Sequence, residues 1–404
     1  MYQPLPEKLH YPDLEKEILA FWEDQKIFEK SLSARSESPV FSFFEGPPTV
    51  NGNPGIHHLM ARTDKDLVCR YKTMTGHYVR RQAGWDTHGL PVEIAVEKQL
   101  GLVNKSDIEV MGIDKFNATC REFVFSNIER DMGWGDFTKR MGFWVDMNSA
   151  YITCTNDYVE SVWWALKTFF NKGLIYKGYK VVPQSPTIET PLSSHELSLG
   201  YREVKDPSVY LKIKIIDSKI SDAIGAHILV WTTTPWTLFS NVALAVGVNI
   251  DYVIIEKESN EGKSERFIIA DSLKSLLGED PKILAKVKGE ELLGSAYEQI
   301  FSYCSIDSVT FPNALTILPG TFVSTEDGTG VVHISPAFGV DDFELSKAFN
   351  LPVLQPVTPN GHFTEIISDF AGRAIKTFKY ADRVEEGADK DIIIALKQAG
   401  KIFK

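Results

Sequence analysis

The sequence predicts an α/β protein: the N-terminal half of a doubly wound parallel sheet, followed by a second, mainly β domain. Three observations carry that expectation. A strand, loop, helix, strand, helix succession fills roughly the first hundred residues, which is the pattern of βαβ units. Its loops hold more proline, glycine and polar residues than a turn of about two to six residues needs. Near residue 200 the texture changes to short β-branched runs separated by turn residues.

Taken in order, residues 12–30 predict a helix, with Leu14, Ile18, Phe21, Trp22 and Phe28 on one face and Pro12 and Asp13 near its start. The run VFSFF predicts a short buried strand. It leads into EGPPTVNGNPGIHHLM, Glu45 to Met60, and then the helix LMARTDKDLVCRYKTMTG closed by Gly76. YVRRQAGWD predicts a second strand, GWDTHGLPVE (Gly84 to Glu93) a second loaded loop, and LPVEIAVEKQLG a second helix. A helical, tryptophan-bearing stretch follows, including DYVESVWWALKTFFNKG. The β texture comprises SVYLKIKII, HILVWTTT, YVIIEK, RFIIA, LTILPGTFV and GVVHISP, and the chain stops after the amphipathic helix pattern DIIIALKQAGKIFK. The boundary is expected between Pro191 and Pro207, giving segments 1–199, 200–395 and 396–404.

A chain of 404 residues is too long for one ordinary core and suggests two or three domains. Hydrophobic content of 43% beside 24% charged residues belongs to a folded, soluble protein rather than a disordered one. No run of about 18 apolar residues exists, so no membrane span is expected, and the acidic N-terminus lacks a signal-peptide core. Cys69, Cys120, Cys154 and Cys304 are scattered with no CxxC, which implies a reducing cytoplasm and no disulfide framework or structural zinc. A net charge of −11 argues against a general nucleic-acid binder, although RYKTMTGHYVRR forms a local basic island.

The first loop pairs Gly52 and Gly55 with a following helix start, where unpaired N–H groups and the dipole favour phosphate. Imidazoles at His57 and His58 add donors to developing charge. Glycine in a turn is by itself an ordinary structural choice. The second loop strengthens the case, because in a parallel sheet both loops emerge at carboxyl ends of strands, where such folds bind ligands. Asp86 there reads either as an anchor for a cationic amine or as a helix N-cap.

PPTVNGNPGIHH together with GWDTHGLPVE resembles the class I aminoacyl-tRNA synthetases, and within them the isoleucyl enzymes. Leucyl relatives place Ala-Phe where Thr87 and His88 stand. The class signature His-x-Gly-His falls on Gly55, Ile56, His57 and His58, so the final histidine matches while glycine and histidine have exchanged places. WTTTPWTLFSN, Trp231 to Asn241, and GTGVVHISPAFGVDDFE, Gly328 to Glu344, resemble the editing domain inserted into the isoleucyl, valyl and leucyl enzymes. Phe239 stands where many relatives carry proline.

The resemblance implies a Rossmann-like catalytic half with an inserted, mainly β editing domain. It implies ATP binding by Pro48, Asn51, Gly52, Gly55, His57 and His58, and isoleucine binding by Pro47, Asp86 and His88. It implies editing by Thr232, Thr233, Thr234, Thr237, Asn241, His333 and Asp342, with His57, His58 and Asp342 as the catalytic groups. The implied reaction is ATP-dependent activation of isoleucine and its transfer to tRNA(Ile), with hydrolysis of misformed valyl-tRNA(Ile). ATP with Mg2+ enters as substrate. Zinc is not expected, since VVPQSPTIETPLSSHE lacks the cysteines that hold it in some relatives. The implied protein is a cytoplasmic monomer. The second signature, Lys-Met-Ser-Lys-Ser, and the anticodon-binding domain are missing from these 404 residues, so the expectation is an N-terminal fragment inactive in ligation. Two other readings stay open: a stand-alone aminoacyl-tRNA deacylase, and a non-catalytic tRNA- or nucleotide-binding module.

Overall fold

A helical crossover lets strands pair in parallel, and the first part of the chain does so. The computed structural model describes residues 8–103, 105–198, 200–258, 262, 264–279, 281–380 and 383–404. The chain divides into two compact units, Met1–Lys177 and Gly178–Lys404.

In the first unit β1 (Gln82–Trp85) lies parallel to β2 (Asp146–Ile152), with Gln82 beside Asp146 and Trp85 beside Ile152. On the other edge of β1 the segment 40–50 also runs parallel, but it is joined only at Val40–Tyr78 and Thr49–Asp86. The expected buried strand at VFSFF is therefore corrected: Val40 is 69% and Phe44 90% exposed, because no continuous ladder holds that stretch against β1. Helix α3 (Ile56–Met74) makes the crossover from this segment to β1. Helices α4 (Leu90–Leu100), α5 (Lys105–Met111), α6 (Ile113–Glu129) and α7 (Trp134–Arg140) fill the crossover from β1 to β2.

The helix expected over 12–30 is two helices, α1 (Tyr11–Asp24) and α2 (Ile27–Ser33), separated at Lys26, whose φ of 51° is left-handed. The break lets Trp22 and Phe28, one from each helix, pack on Trp144 at 5.3 and 6.2 Å between ring centroids. Strand β2 was hidden inside the stretch expected to be helical. Its sequence DMNSAYI is polar and has no fully buried position, so neither alternation nor an apolar run announces it. Helix α8 (Asn156–Asn171) follows as expected. The core of the unit gathers Val50, Trp85, Val92, Val124 and Trp134.

The second unit opens with a two-residue ladder, β3 (Gln184–Ser185) with β4 (Thr190–Pro191), and α9 (Ser194–Ser198). Its main sheet contains β5 (Val209–Asp217), β6 (His227–Thr232), β8 (Asp251–Glu258), β9 (Ser264–Ala270), β10 (Lys282–Lys288) and β11 (Ala296–Tyr297), in the order β10-β8-β9-β6-β5-β11. All pairs are antiparallel except β6 with β9. A second sheet sets β7 (Ala243–Val246) between β12 (Ile317–Pro319), parallel, and β13 (Val331–Ile334), antiparallel. Strand β5 shows why the register is firm: its residues alternate buried and outward-facing, VYLKIKI, so a one-residue slip would expose Leu211, Ile213 and Ile215. A short helix, α10 (Gly289–Leu292), follows β10, helix α11 (Val340–Phe349) follows β13, and α12 (Asp389–Gln398) closes on the core through Ile392 and Leu396. Ile402 then pairs with Leu211. Among the described residues no helix is long and apolar enough to cross a membrane.

Candidate functional site

The loop after the first parallel segment is anchored at both ends. At its start the Lys65 ammonium of α3 bonds the buried Glu45 carboxylate at 2.6 Å and the Gly46 carbonyl at 3.0 Å. The Tyr151 hydroxyl of β2 donates to the Glu45 carbonyl at 2.6 Å. That reach requires Gly84 on β1, where any Cβ would lie 2.3 Å from the Tyr151 ring. At the far end the chain enters α3 through a reciprocal cap. His58 N–H donates to the Gly55 carbonyl at 3.0 Å, and Gly55 N–H donates to His58 Nδ1 at 2.9 Å.

This cap fixes the chemistry of His58. A lone pair on Nδ1 accepts the Gly55 N–H, so the neutral ring carries its proton on Nε2. Partial burial, then His57 and Arg62, push its pKa below the ordinary histidine value, so the neutral donor is the form present near pH 7. The His57 ring lies 3.8 Å from that of His58. It also fills the space beside Gly55, where a Cβ would sit 3.0 Å from His57 Cε1. Two imidazoles thus share the start of a 19-residue helix, whose free N–H groups favour an anion. Asn51 and His57 are exposed, while Pro47, Pro48, Gly52 and Gly55 are half-buried.

The second loop is tied directly to the first. Val50 N–H donates to the Asp86 carbonyl at 2.8 Å, Asp86 N–H to the Pro48 carbonyl at 3.1 Å, and the Thr49 hydroxyl to Asp86 Oδ2 at 2.7 Å. Asp86 is therefore not an N-cap; the residue preceding α4 is Gly89, without a side-chain cap. His88 is exposed, with Nδ1 2.8 Å from the Thr153 hydroxyl, which in turn accepts Thr87 N–H at 3.0 Å. Pro47, Pro48, Gly52, Gly55, His57, His58, Asp86 and His88 accordingly occupy two hydrogen-bonded loops at one end of parallel strands.

In the second unit a relay of hydroxyls ends on an imidazole. Thr232 and Thr234 hydroxyls are 3.2 Å apart, Thr234 and Thr237 3.3 Å, and Thr237 Oγ1 lies 3.1 Å from His333 Nε2. The Thr237 hydroxyl donates to the Thr234 carbonyl at 2.8 Å, so the His333 bond must be donated by Nε2–H. That leaves Nδ1 as a bare lone pair, buried with no protein partner. Desolvation pushes the His333 pKa down to about 4, and the ring is neutral at pH 7.

Three other expected residues stand apart from this relay. Thr233 is exposed. Asn241 is buried with its amide engaged: Nδ2 donates to the Ala243 carbonyl at 3.0 Å, and Oδ1 accepts the Tyr297 hydroxyl at 2.7 Å. Asp342, in the first turn of α11, accepts Ser335 N–H at 2.7 Å, and its other oxygen covers Gly339, where a Cβ would fall 1.9 Å away. Burial raises its pKa against the lowering by backbone donors. A partly desolvated carboxylate of this kind gains most from a cation. Sequence reasoning missed Thr49, Thr153 and Trp134, whose contacts run to loop residues 37, 65 and 82 positions away; no local pattern carries such a signal.

Residues 17–371 match the family described as tRNA synthetases class I (I, L, M and V). The chain is 41% identical over 404 residues to the isoleucine–tRNA ligase of Clostridium acetobutylicum. It is 44% identical over 405 residues to that of Thermobifida fusca, and 42% over 400 residues to that of Thermus thermophilus. These alignments cover 100%, 100% and 98% of this chain but 36% of each relative. The chain thus spans little more than a third of the length of the relatives it matches.

Proposed function

The chain belongs to the class I tRNA synthetases of the isoleucine, leucine, methionine and valine group, and from that premise we propose that it carries the nucleotide loop and the editing domain of an isoleucine–tRNA ligase. The observation that carries the reading is the pairing of the two loops. Asp86 of the second loop bonds the backbone and hydroxyl of residues 48–50, just before the imidazole-bearing helix start. An amino acid whose ammonium meets Asp86 would present its carboxylate toward a nucleotide held at Gly52–His58. Bringing carboxylate and α-phosphate together is the main task of adenylate formation, which needs positioning and charge neutralisation rather than a protein nucleophile.

Each group then has one task. Thr49 occupies Asp86 Oδ2 and leaves Oδ1 for the ammonium. His58 donates Nε2–H to a phosphate oxygen, with its ring angle fixed by the Gly55 cap. His57 and the first N–H groups of α3 add positive potential. ATP is the nucleotide, and Mg2+ arrives with it. In the second unit Thr232, Thr234 and Thr237 present hydroxyls to the ester of a misacylated tRNA end, the neutral His333 orients Thr237, and Asp342 holds the ammonium. One methylene is worth too little for a single pocket to discriminate accurately, isoleucine against valine being the standard case, and a second, smaller pocket removes what the first admits. Ligation is proposed only for a protein of the relatives' full length, of which this chain spans 36%. The partners are isoleucine, ATP and tRNA(Ile), and the protein is a cytoplasmic monomer.

The test is isoleucine-dependent ATP–pyrophosphate exchange in a protein extended to the relatives' full length. His58→Ala should lower exchange by roughly 10²-fold or more, the effect of losing one donor to developing charge. Asp86→Ala should chiefly raise the isoleucine KM. Unchanged exchange in the first variant would remove the loop from the nucleotide site.

A further inference from the structure

We propose that the corner Arg130–Trp134, and Trp134 above all, positions the loop 51–58 for the nucleotide; this inference rests on the nucleotide reading of that loop. The Trp134 side chain is 1% exposed. Its Nε1–H donates to the Gly52 carbonyl at 2.8 Å. Its ring meets the His58 imidazole edge-on at 4.7 Å and Trp85 of β1 at 6.5 Å. One rigid side chain therefore ties the backbone of the loop, the imidazole at the helix start and the central strand. Arg130 adds a second tie from its guanidinium to the Asn53 side-chain oxygen.

The corner is built for this delivery. Gly133 cannot carry a side chain, since a Cβ would lie 2.5 Å from the Asn127 carbonyl oxygen and 2.7 Å from that of Arg130. Met132 holds a left-handed φ of 59° while 85% exposed, so side-chain packing does not select that conformation. The tight backbone turns α6 directly into α7 and makes Trp134 the first residue of α7. Strain of this sort persists where the surroundings over-determine it, often beside a functional site. A tryptophan serving only the core would need a partner for its N–H, but that partner need not be the loop. Here the one polar atom goes to Gly52, and the ring edge goes to His58.

The experiment uses the 404-residue chain as wild type, Trp134→Phe, which keeps a ring but loses the N–H, and Arg130→Gln, an exposed change that spares the core. Three quantities are read: amide hydrogen exchange, the His58 titration by NMR, and ATP affinity by calorimetry. In Trp134→Phe the amides of residues 51–58 should exchange at least about tenfold faster, with those of Cys69 and Arg70 unchanged. The His58 pKa should rise toward the ordinary value as its burial is relieved, and the ATP Kd should increase about tenfold, the equivalent of one hydrogen bond. Arg130→Gln should move each quantity in the same direction by less. Unchanged loop exchange and an unchanged His58 titration in both variants would overturn the proposal. Faster exchange with unaltered ATP affinity would overturn it too, leaving Trp134 a purely structural role. If the wild-type chain bound no ATP, the nucleotide reading itself would fall and the positioning role with it, while loop exchange would still report whether Trp134 holds the loop.

Discussion

His333 binds Thr237 through Nε2–H and buries a bare Nδ1, so protonation would place a charge where nothing accepts it. Its folded pKa of about 4 lies below the value of about 6.5 expected in the unfolded chain. Between those values the unfolded state binds more protons, so stability must fall as pH drops from about 6.5 toward 4 and level off below. Urea unfolding of the wild type and His333→Gln across pH 4–7 checks this. The wild type should lose stability on acidification more steeply than the variant, and parallel curves would show that His333 titrates normally. The same residue marks how far sequence reading reaches. The proximity of the His57–His58 helix start to Asp86 was legible because each lies in a short motif that follows a parallel segment. The engagement of Asn241 by Tyr297 was not, since 56 residues separate them and only the folded sheets bring them together.

At the scale of elements, the β-branched runs of the second unit became strands close to where the pattern put them, because alternation along a half-buried sheet is a strong local signal. VFSFF is likewise apolar but has no full ladder: Val40 and Phe44 stay outside while Phe41 and Phe43 are half-buried; composition cannot tell whether a neighbour exists. The break at Lys26 likewise has no local signal: the ring that Trp22 and Phe28 share is Trp144, far along the chain. Helix α12 offers a prediction of its own. Asp389 opens it with Oδ1 buried and unpartnered. Burial pushes its pKa up to about 6, with Asp206 adding to the rise and Lys376 opposing it. Here the sign is reversed: the folded state binds more protons between about 3.8 and 6, so this residue's contribution declines as pH rises through that window. Asp389→Asn should therefore stabilise the chain at pH 7 by on the order of 1 kcal/mol and have little effect near pH 4. A destabilised variant at pH 7, seen by denaturant titration, would mean that the carboxylate has a partner worth more than its desolvation cost.

For the whole molecule, the parallel α/β unit and the mainly β unit each have a core, and each holds one of the two constellations named from the sequence. Legibility differed between them for a physical reason. The first site is built from two loops close in sequence and bonded to each other. The second joins a turn near residue 235 to a strand and helix start about a hundred residues later, and long-range contacts such as Thr237–His333 and Trp236–Phe338 close that distance. The proposed role of the second unit, a sieve for the smaller amino acid, would give the threonine relay, the neutral imidazole and the half-buried Asp342 one common purpose. The most direct measurement is calorimetric titration of hydrolysis-resistant valyl- and isoleucyl-adenosine analogues into the 404-residue chain and its Asp342→Ala variant. Valyl binding should be tighter than isoleucyl by about tenfold or more, through steric exclusion of the extra methylene, with most affinity lost when the ammonium has no carboxylate. Equal binding of both analogues by the wild type, untouched by Asp342→Ala, would contradict it.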